Sequence, residues 1–326
     1  MKKLLVGNQT SMSTFLLLEF SGIRELQILH CFVFLAFYFT TATANFLIIS
    51  VVTFDHHLHI PMYFFLMNLA MLDLASVSVI MPKSIANSLM NTRYISYSGC
   101  ISQALLFVSF LTSDFFLLTV MAYDRYVAIC NPLQYEMVMN RRTCAQMIAS
   151  VWISGFFFGI LHAIGTFTLP FCSDVVDQFF CEIPQLLKLT CSDFNQGEVG
   201  ILAFSIIIVL GLFIFILVSY IKILSAVFRI PSTQGRQKAL STCLPHLIVV
   251  SVLMFTGILT YMKLPSNSPS DLDIMLTIIY SLVPPILNPL VYSMRNKDIK
   301  TALFKLLSPK ITFFHMISFF INFYSF

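Results

Sequence analysis

The stretch 121-MAYDRYVAIC-130 sets an acid and a base side by side, Asp124 and Arg125, at the end of roughly twenty residues that hold one other charge. An ionised group in hydrocarbon costs several kcal/mol, so such residues are rare inside apolar helices and usually functional. The rest of the chain has the same character. It has 326 residues, 58% hydrophobic and 10% charged, with 34 Phe, 16 Met and one Trp, where a soluble domain carries about 25% charge. A membrane-spanning helix needs about 20 apolar residues. Seven segments qualify, at 26–54, 58–82, 99–128, 143–169, 198–228, 238–262 and 271–294, and they leave no room for a separate soluble domain. The composition implies an all-α membrane protein, a bundle of seven transmembrane helices.

Charge placement sets an expected orientation. With the N-terminus outside, twelve basic residues fall on the inner side and seven on the outer, which by the positive-inside rule puts the C-terminus in the cytoplasm. The sequon 8-NQT-10 makes Asn8 a glycosylation candidate on the same outer side. Cys100, Cys172, Cys181 and Cys191 lie at or beyond outer edges, where an oxidising compartment favours two disulfides of three conceivable connectivities. Cys31, Cys130, Cys144 and Cys243 read as reduced packing residues. The segment 295-RNKDIKTALFKLL-307 alternates apolar and basic positions as a short amphipathic eighth helix, attracted to anionic lipid on the inner leaflet.

Two acids, Asp73 and Asp114, lie deep inside spans. Asp114 and Arg125 are eleven residues apart, which at about 100° per residue puts them on one helical face turned into the bundle. Two interior carboxylates without a base in their own segments imply a buried cation site or neutral acids. The string 55-DHHLH-59 has no completing ligand constellation and reads as a solvated cluster. No nucleophile triad, paired catalytic carboxylates or zinc spacing stands out, which argues against an enzyme.

The strings 61-PMYFFLMNLAMLDL-74, 121-MAYDRYVAIC-130, 219-SY-220, 238-KALSTCLPHL-247 and 285-PILNPLVYSMRNKD-298 occur in an order that resembles the vertebrate olfactory receptors, a branch of the rhodopsin-like G-protein-coupled receptors. The long outer loop 170–197 with three cysteines matches too. This resemblance runs across nearly all of residues 15–307. It implies an N-terminal segment 1–25, a receptor domain 26–294, helix eight at 295–307 and a tail 308–326. It further implies disulfides Cys100–Cys181 and Cys172–Cys191. Asp124, Arg125 and Tyr126 would form a resting latch, with Tyr220, His246, Asn288, Pro289 and Tyr292 as the parts that move when it opens. Asp73 and Asp114 would hold an allosteric sodium ion, with no other cofactor.

For the ligand, Phe107 stands five helical turns before Arg125, where amine receptors of the wider class carry an acid. Ala104, Val108, Leu111 and Thr112 extend that wall, and Phe204, Ser205, Ile208, Phe255, Tyr261 and Ser281 complete it from spans five, six and seven. The resemblance thus implies a small, mainly apolar odorant as ligand and a stimulatory, olfactory-type G protein as partner, with a rise in cyclic AMP at the plasma membrane and no nucleic-acid role. A channel or transporter, or a non-signalling relative, are the alternatives. Three features depart from the family pattern: Ala44-Asn45 in span one, 252-VLMFTG-257 in span six, and the apolar tail 311-ITFFHMISFFINFYSF-326, which at sixteen residues is short for an eighth span.

Overall fold

A computed structural model describes residues 13–18, 23–191, 196–229, 232–262, 271–295 and 297–307. The sequon at Asn8 and the tail 311–326 lie outside the described residues, as do the side chains of Tyr261 and Tyr292. Among the described residues, seven long helices form the bundle: α1 (Arg24–Phe54), α2 (Pro61–Met90), α3 (Tyr97–Cys130), α4 (Arg141–Phe167), α5 (Gln196–Phe228), α6 (Thr233–Met262) and α7 (Asp271–Arg295). The first five are long and apolar enough to cross a membrane by themselves. Among the described residues, α6 and α7 carry the apolar stretches His246–Thr260 and Ile274–Pro289. A short amphipathic helix, α8 (Lys297–Leu307), follows.

Local chemistry sets the helix ends. The Ser96 side chain accepts from the Gly99 N–H to start α3, and Asn140 accepts from Thr143 to start α4, each meeting a donor that the first turn leaves unbonded. Helix α2 opens on Pro61 and runs through Pro82, beyond the expected end of its span, to a left-handed Asn91 at φ 52°. There Arg24 donates to the Ser88 and Leu89 carbonyls, supplying partners for the last turn.

Burial ranks the helices. The most apolar windows of α2 and α3 are 61% and 56% buried, against 6% for α5, whose mean hydropathy of 3.3 is the highest of the five. Helix α3, packed against α2, α4, α5 and α6, is the central post, and α5 is turned outward along most of its length. Two glycines let α4 close on α3. A Cβ on Gly155 would stand 2.6 Å from the Ser109 carbonyl, and one on Gly159 would stand 2.7 Å from the Leu105 carbonyl. This is small-residue packing, by which membrane helices associate without a hydrophobic drive. Helix α1 meets α7 through Asn45, which donates to the Pro285 carbonyl at 3.0 Å. That carbonyl lies four residues before Pro289, which has no N–H to offer it, so Asn45 supplies the missing partner.

At the end of the bundle that holds both disulfides, the chain adds a small sheet that hydropathy did not foretell. Strand β1 (Thr14–Leu17) pairs antiparallel with β2 (Tyr94–Ser96) and parallel with β3 (Val175–Val176). Alternate residues Phe15 and Leu17 are buried beneath it. The described part of the long loop, residues 170–191, is likewise structured: Phe179, Phe180, Cys181, Glu182, Ile183, Leu186 and Leu187 are buried, and Ile183–Lys188 forms a short helix. This loop is a lid pressed into the bundle. At the opposite end, Tyr63 donates to Asp298 and seats α8, with Ile299 and Ala302 buried beneath.

Candidate functional site

Beneath the lid lies a cavity of about 460 Å³ between α3, α4, α5, α6 and α7. Of the residues expected to line it, Phe107, Val108, Leu111, Thr112, Ser205 and Ile208 do so. Four others do not. Ala104 is buried one turn too high, in the cluster around Cys100 and Cys181. Phe204 points outward and stacks on Phe158, ring centroids 5.7 Å apart. Phe255 is 65% exposed on the outer face of α6, because that helix is turned to present Leu253, Met254 and Gly257 inward. Ser281 bonds its own helix at the Thr277 carbonyl and faces a smaller void deeper in the bundle.

The sequence reading missed several residues on the cavity wall, among them Phe158, His162, Glu182 and Tyr280. His162 shares a hydrogen bond with Ser205, Nε2 to Oγ at 2.9 Å. It follows Gly155 and Gly159 on the α4 face that packs against α3, so helical spacing could have marked it as inward. Glu182 is 1% exposed and accepts from Tyr280 and Thr277 of α7. Its position beside Cys181, a half-cystine anchored to α3, is the signal that could have found it.

The lid is fixed from every side. Both expected disulfides are present, Cys100–Cys181 and Cys172–Cys191. Gln103 donates to the Val79 carbonyl and accepts from the Cys181 N–H, joining α2, α3 and the lid. Ser84 donates to the Phe179 carbonyl at 2.9 Å, and Gln178 donates to Thr277 at 3.1 Å.

The smaller void, about 10 Å³, is lined by Asp114, Ser281, Asn288 and apolar neighbours. Asp114 Oδ1 and Asn288 Oδ1 are buried there without a hydrogen-bond partner among the described residues. Oxygen donors around a space of water size suit a hard cation. Asp73 is placed differently from its expected partner, since both its oxygens accept from Asn288, at 3.0 and 3.2 Å.

At the far end of α3, Arg125 donates to Asp124 through Nε at 3.0 Å and through Nη2. Asp124 is 1% exposed and takes a third bond from the Tyr135 hydroxyl at 2.8 Å. Burial, then the Asp124 charge, holds the Tyr135 phenol above its usual range, so it remains a donor. Tyr135 sits in the loop after α3 and was not foreseen. Tyr126 lies beneath the Lys222 ammonium, 5.5 Å from the ring centre. Tyr220 of α5 stacks on His246 of α6 at 5.4 Å, and His246 Nε2 bonds the Leu118 carbonyl of α3. Asn288 and Pro289 are buried in α7.

An apolar cavity at one end, an ion pair with a buried carboxylate at the other and a polar path of Asp114, Asp73 and Asn288 between them are the features of a seven-helix membrane receptor. The family model for olfactory receptors matches residues 31–310. Human olfactory receptor 14J1 is 48% identical over 92% of this chain and 94% of its own length. Human olfactory receptor 14A16 is 45% identical over 94% of this chain and 99% of its own. The chain belongs to the olfactory receptor family and is a multi-pass membrane protein.

Proposed function

We propose that the chain is an odorant receptor whose cavity takes a small, mainly apolar molecule and whose latch end couples to a stimulatory, olfactory-type G protein, raising cyclic AMP. The single observation that carries this reading is the pairing of an apolar cavity under the lid with an Asp124–Arg125 ion pair, its carboxylate buried, at the other end of the same helix, α3. The receptor resides in the plasma membrane with the lid outside and Arg125 at the cytoplasmic face, as the basic residues of its loops favour.

The mechanism follows from what each residue is bonded to. In the described state Arg125 is held by Asp124, and Tyr220 and His246 close α5 and α6 against α3. A ligand that binds better when the helices are spread shifts the population toward the open form by its differential affinity and no more. Arg125 then leaves Asp124 for Tyr220 and the entering G-protein segment, and Tyr292 moves with α7. A sodium ion would be held by Asp114, Asn288 and Ser281, with Asp73 adjoining through Asn288; it would offset buried carboxylate charge and favour the closed form.

The test is a cyclic-AMP assay over a broad odorant panel with Arg125→Ala at matched surface expression. The wild type is expected to respond to at least one compound and Arg125→Ala to none. A variant that signals like the wild type sinks the latch. Ligand-evoked current without cyclic AMP would favour a channel instead.

A further inference from the structure

Apart from the lone hydroxyl of Thr112 on α3, the polar side chains around the large cavity divide by what they already bond. On the lid and α7 side, Glu182 takes hydroxyls from Tyr280 and Thr277, and Thr260 donates to its own helix at the Thr256 carbonyl, 2.9 Å away. On the α4–α5 side, His162 and Ser205 share one hydrogen bond, and neither makes another among the described residues. Both line the cavity.

A histidine–serine pair has a property that a lone hydroxyl lacks. With the proton on Nε2, the ring donates to Ser205, leaving the serine O–H as a free donor and Nδ1 as a free acceptor. With the proton on Nδ1, Ser205 donates to Nε2, leaving Nδ1–H as the donor and the serine lone pairs as acceptors. In either arrangement the pair offers one donor and one acceptor to the cavity. The wall around it is apolar, with Phe107, Val108, Leu111, Ile208 and Leu253 among its members.

We propose that the His162–Ser205 pair is the polar anchor of the cavity and selects a neutral ligand with one oxygen-bearing head group, a ketone, aldehyde or alcohol, on an apolar body. This rests on the reading of the cavity as the ligand site. A carbonyl takes the free donor, and a hydroxyl takes either the free donor or the free acceptor. A hydrocarbon displaces water from the pair and leaves its donor and acceptor unmet, which disfavours it. An ammonium brings three donors and a charge to the pair, which offers it one acceptor and no countercharge, while Glu182 stands on the lid and α7 side and already takes two hydroxyls.

The experiment measures binding by thermal unfolding of the purified full-length receptor in nanodiscs, with methyl hexyl ketone, octanol, octane and octylammonium as probes. In the wild type the ketone and octanol are expected to bind about tenfold more tightly than octane or octylammonium, the effect of one well-made hydrogen bond. His162→Phe and Ser205→Ala should each lose that advantage, while His162→Gln, an amide that donates and accepts, should keep most of it. Ser205→Ala removes one hydroxyl from a half-buried position and serves if His162→Phe fails to fold. The anchor is overturned if octane or octylammonium matches the ketone in the wild type, absence of binding by all four included, or if Ser205→Ala keeps the full preference. The readout needs no G protein, so the two readings fail separately. Pair-dependent ketone binding without cyclic AMP sinks the signalling reading alone, and an odorant response whose head-group preference survives Ser205→Ala sinks the anchor alone.

Discussion

At the scale of single residues the proposed latch turns on how Asp124 is shared. Its carboxylate holds Arg125 through two hydrogen bonds and receives a third from Tyr135. A hydrogen bond to a charged group contributes about 1.5–3 kcal/mol net, and a shift of about 1.4 kcal/mol is tenfold in an equilibrium. Tyr135→Phe removes that third bond while keeping the ring, so Asp124 is held less firmly and the resting form loses stability relative to the open one. Ligand-free cyclic AMP is expected to rise roughly tenfold in Tyr135→Phe at equal surface expression, saturating at the ligand-evoked maximum; a basal level no higher than wild type counts against the role. The acid and the base were legible in the sequence because charge inside an apolar helix is costly. Tyr135 was not, since a loop tyrosine carries no such signal until its distance to Asp124 is known. His162 lay between these cases: helical phase gives its face, but the bond to Ser205 depends on how α4 and α5 are juxtaposed.

At the scale of elements, hydropathy located every long helix, because roughly twenty apolar residues have few other solutions in a bilayer. It ended the second span at residue 82, whereas α2 continues past Pro82 to Met90. A proline within a membrane helix costs little where neighbours satisfy the freed carbonyl, and Asn45 on Pro285 is that device seen in α7. The sheet escaped notice because β1 pairs with strands about eighty and one hundred and sixty residues away, and a short apolar run does not declare its partners. The α3–α4 seam gives a sharper case. A Cβ at Gly155 or Gly159 meets backbone carbonyls as well as the Ser113 and Ser109 hydroxyls, and a backbone carbonyl cannot rotate away. Overpacking of this kind costs about 1–3 kcal/mol. Gly155→Ala and Gly159→Ala are each expected to lower the unfolding temperature and surface display, and Gly159→Ala paired with Ser109→Gly should not recover, because the Leu105 carbonyl still blocks it. The control is Gly211→Ala, at a glycine with open space around it, which should behave as wild type. Equal behaviour of all three single variants would remove close packing as the reason for the seam.

At the scale of the whole molecule, the lid joins the cavity to the bundle, and its two disulfides do different work. Cys100–Cys181 spans 81 residues and Cys172–Cys191 spans 19. By loop-closure entropy alone these correspond to about 4.5 and about 3 kcal/mol, upper limits for a chain whose unfolded state is already confined by a membrane. The structure widens that gap. The shorter loop is also closed by backbone bonds beside its cystine, Cys172 N–H to Leu189 and Cys191 N–H to Pro170, both 2.8 Å. The longer one is the covalent tie that holds Glu182 under Tyr280 and Thr277 and Cys181 on Gln103. Removing Cys172–Cys191 by a double serine replacement should therefore leave a folded receptor with a modestly lower unfolding temperature and a ligand response near that of wild type. Removing Cys100–Cys181 should cost more stability and abolish the response in whatever receptor still reaches the surface, because the cavity loses its roof. Unfolding temperature, surface display and ligand response measured on both double variants decide the matter. An equal loss in both, or the larger loss on opening the shorter loop, would mean that the backbone bonds at its neck do not hold the lid without their cystine.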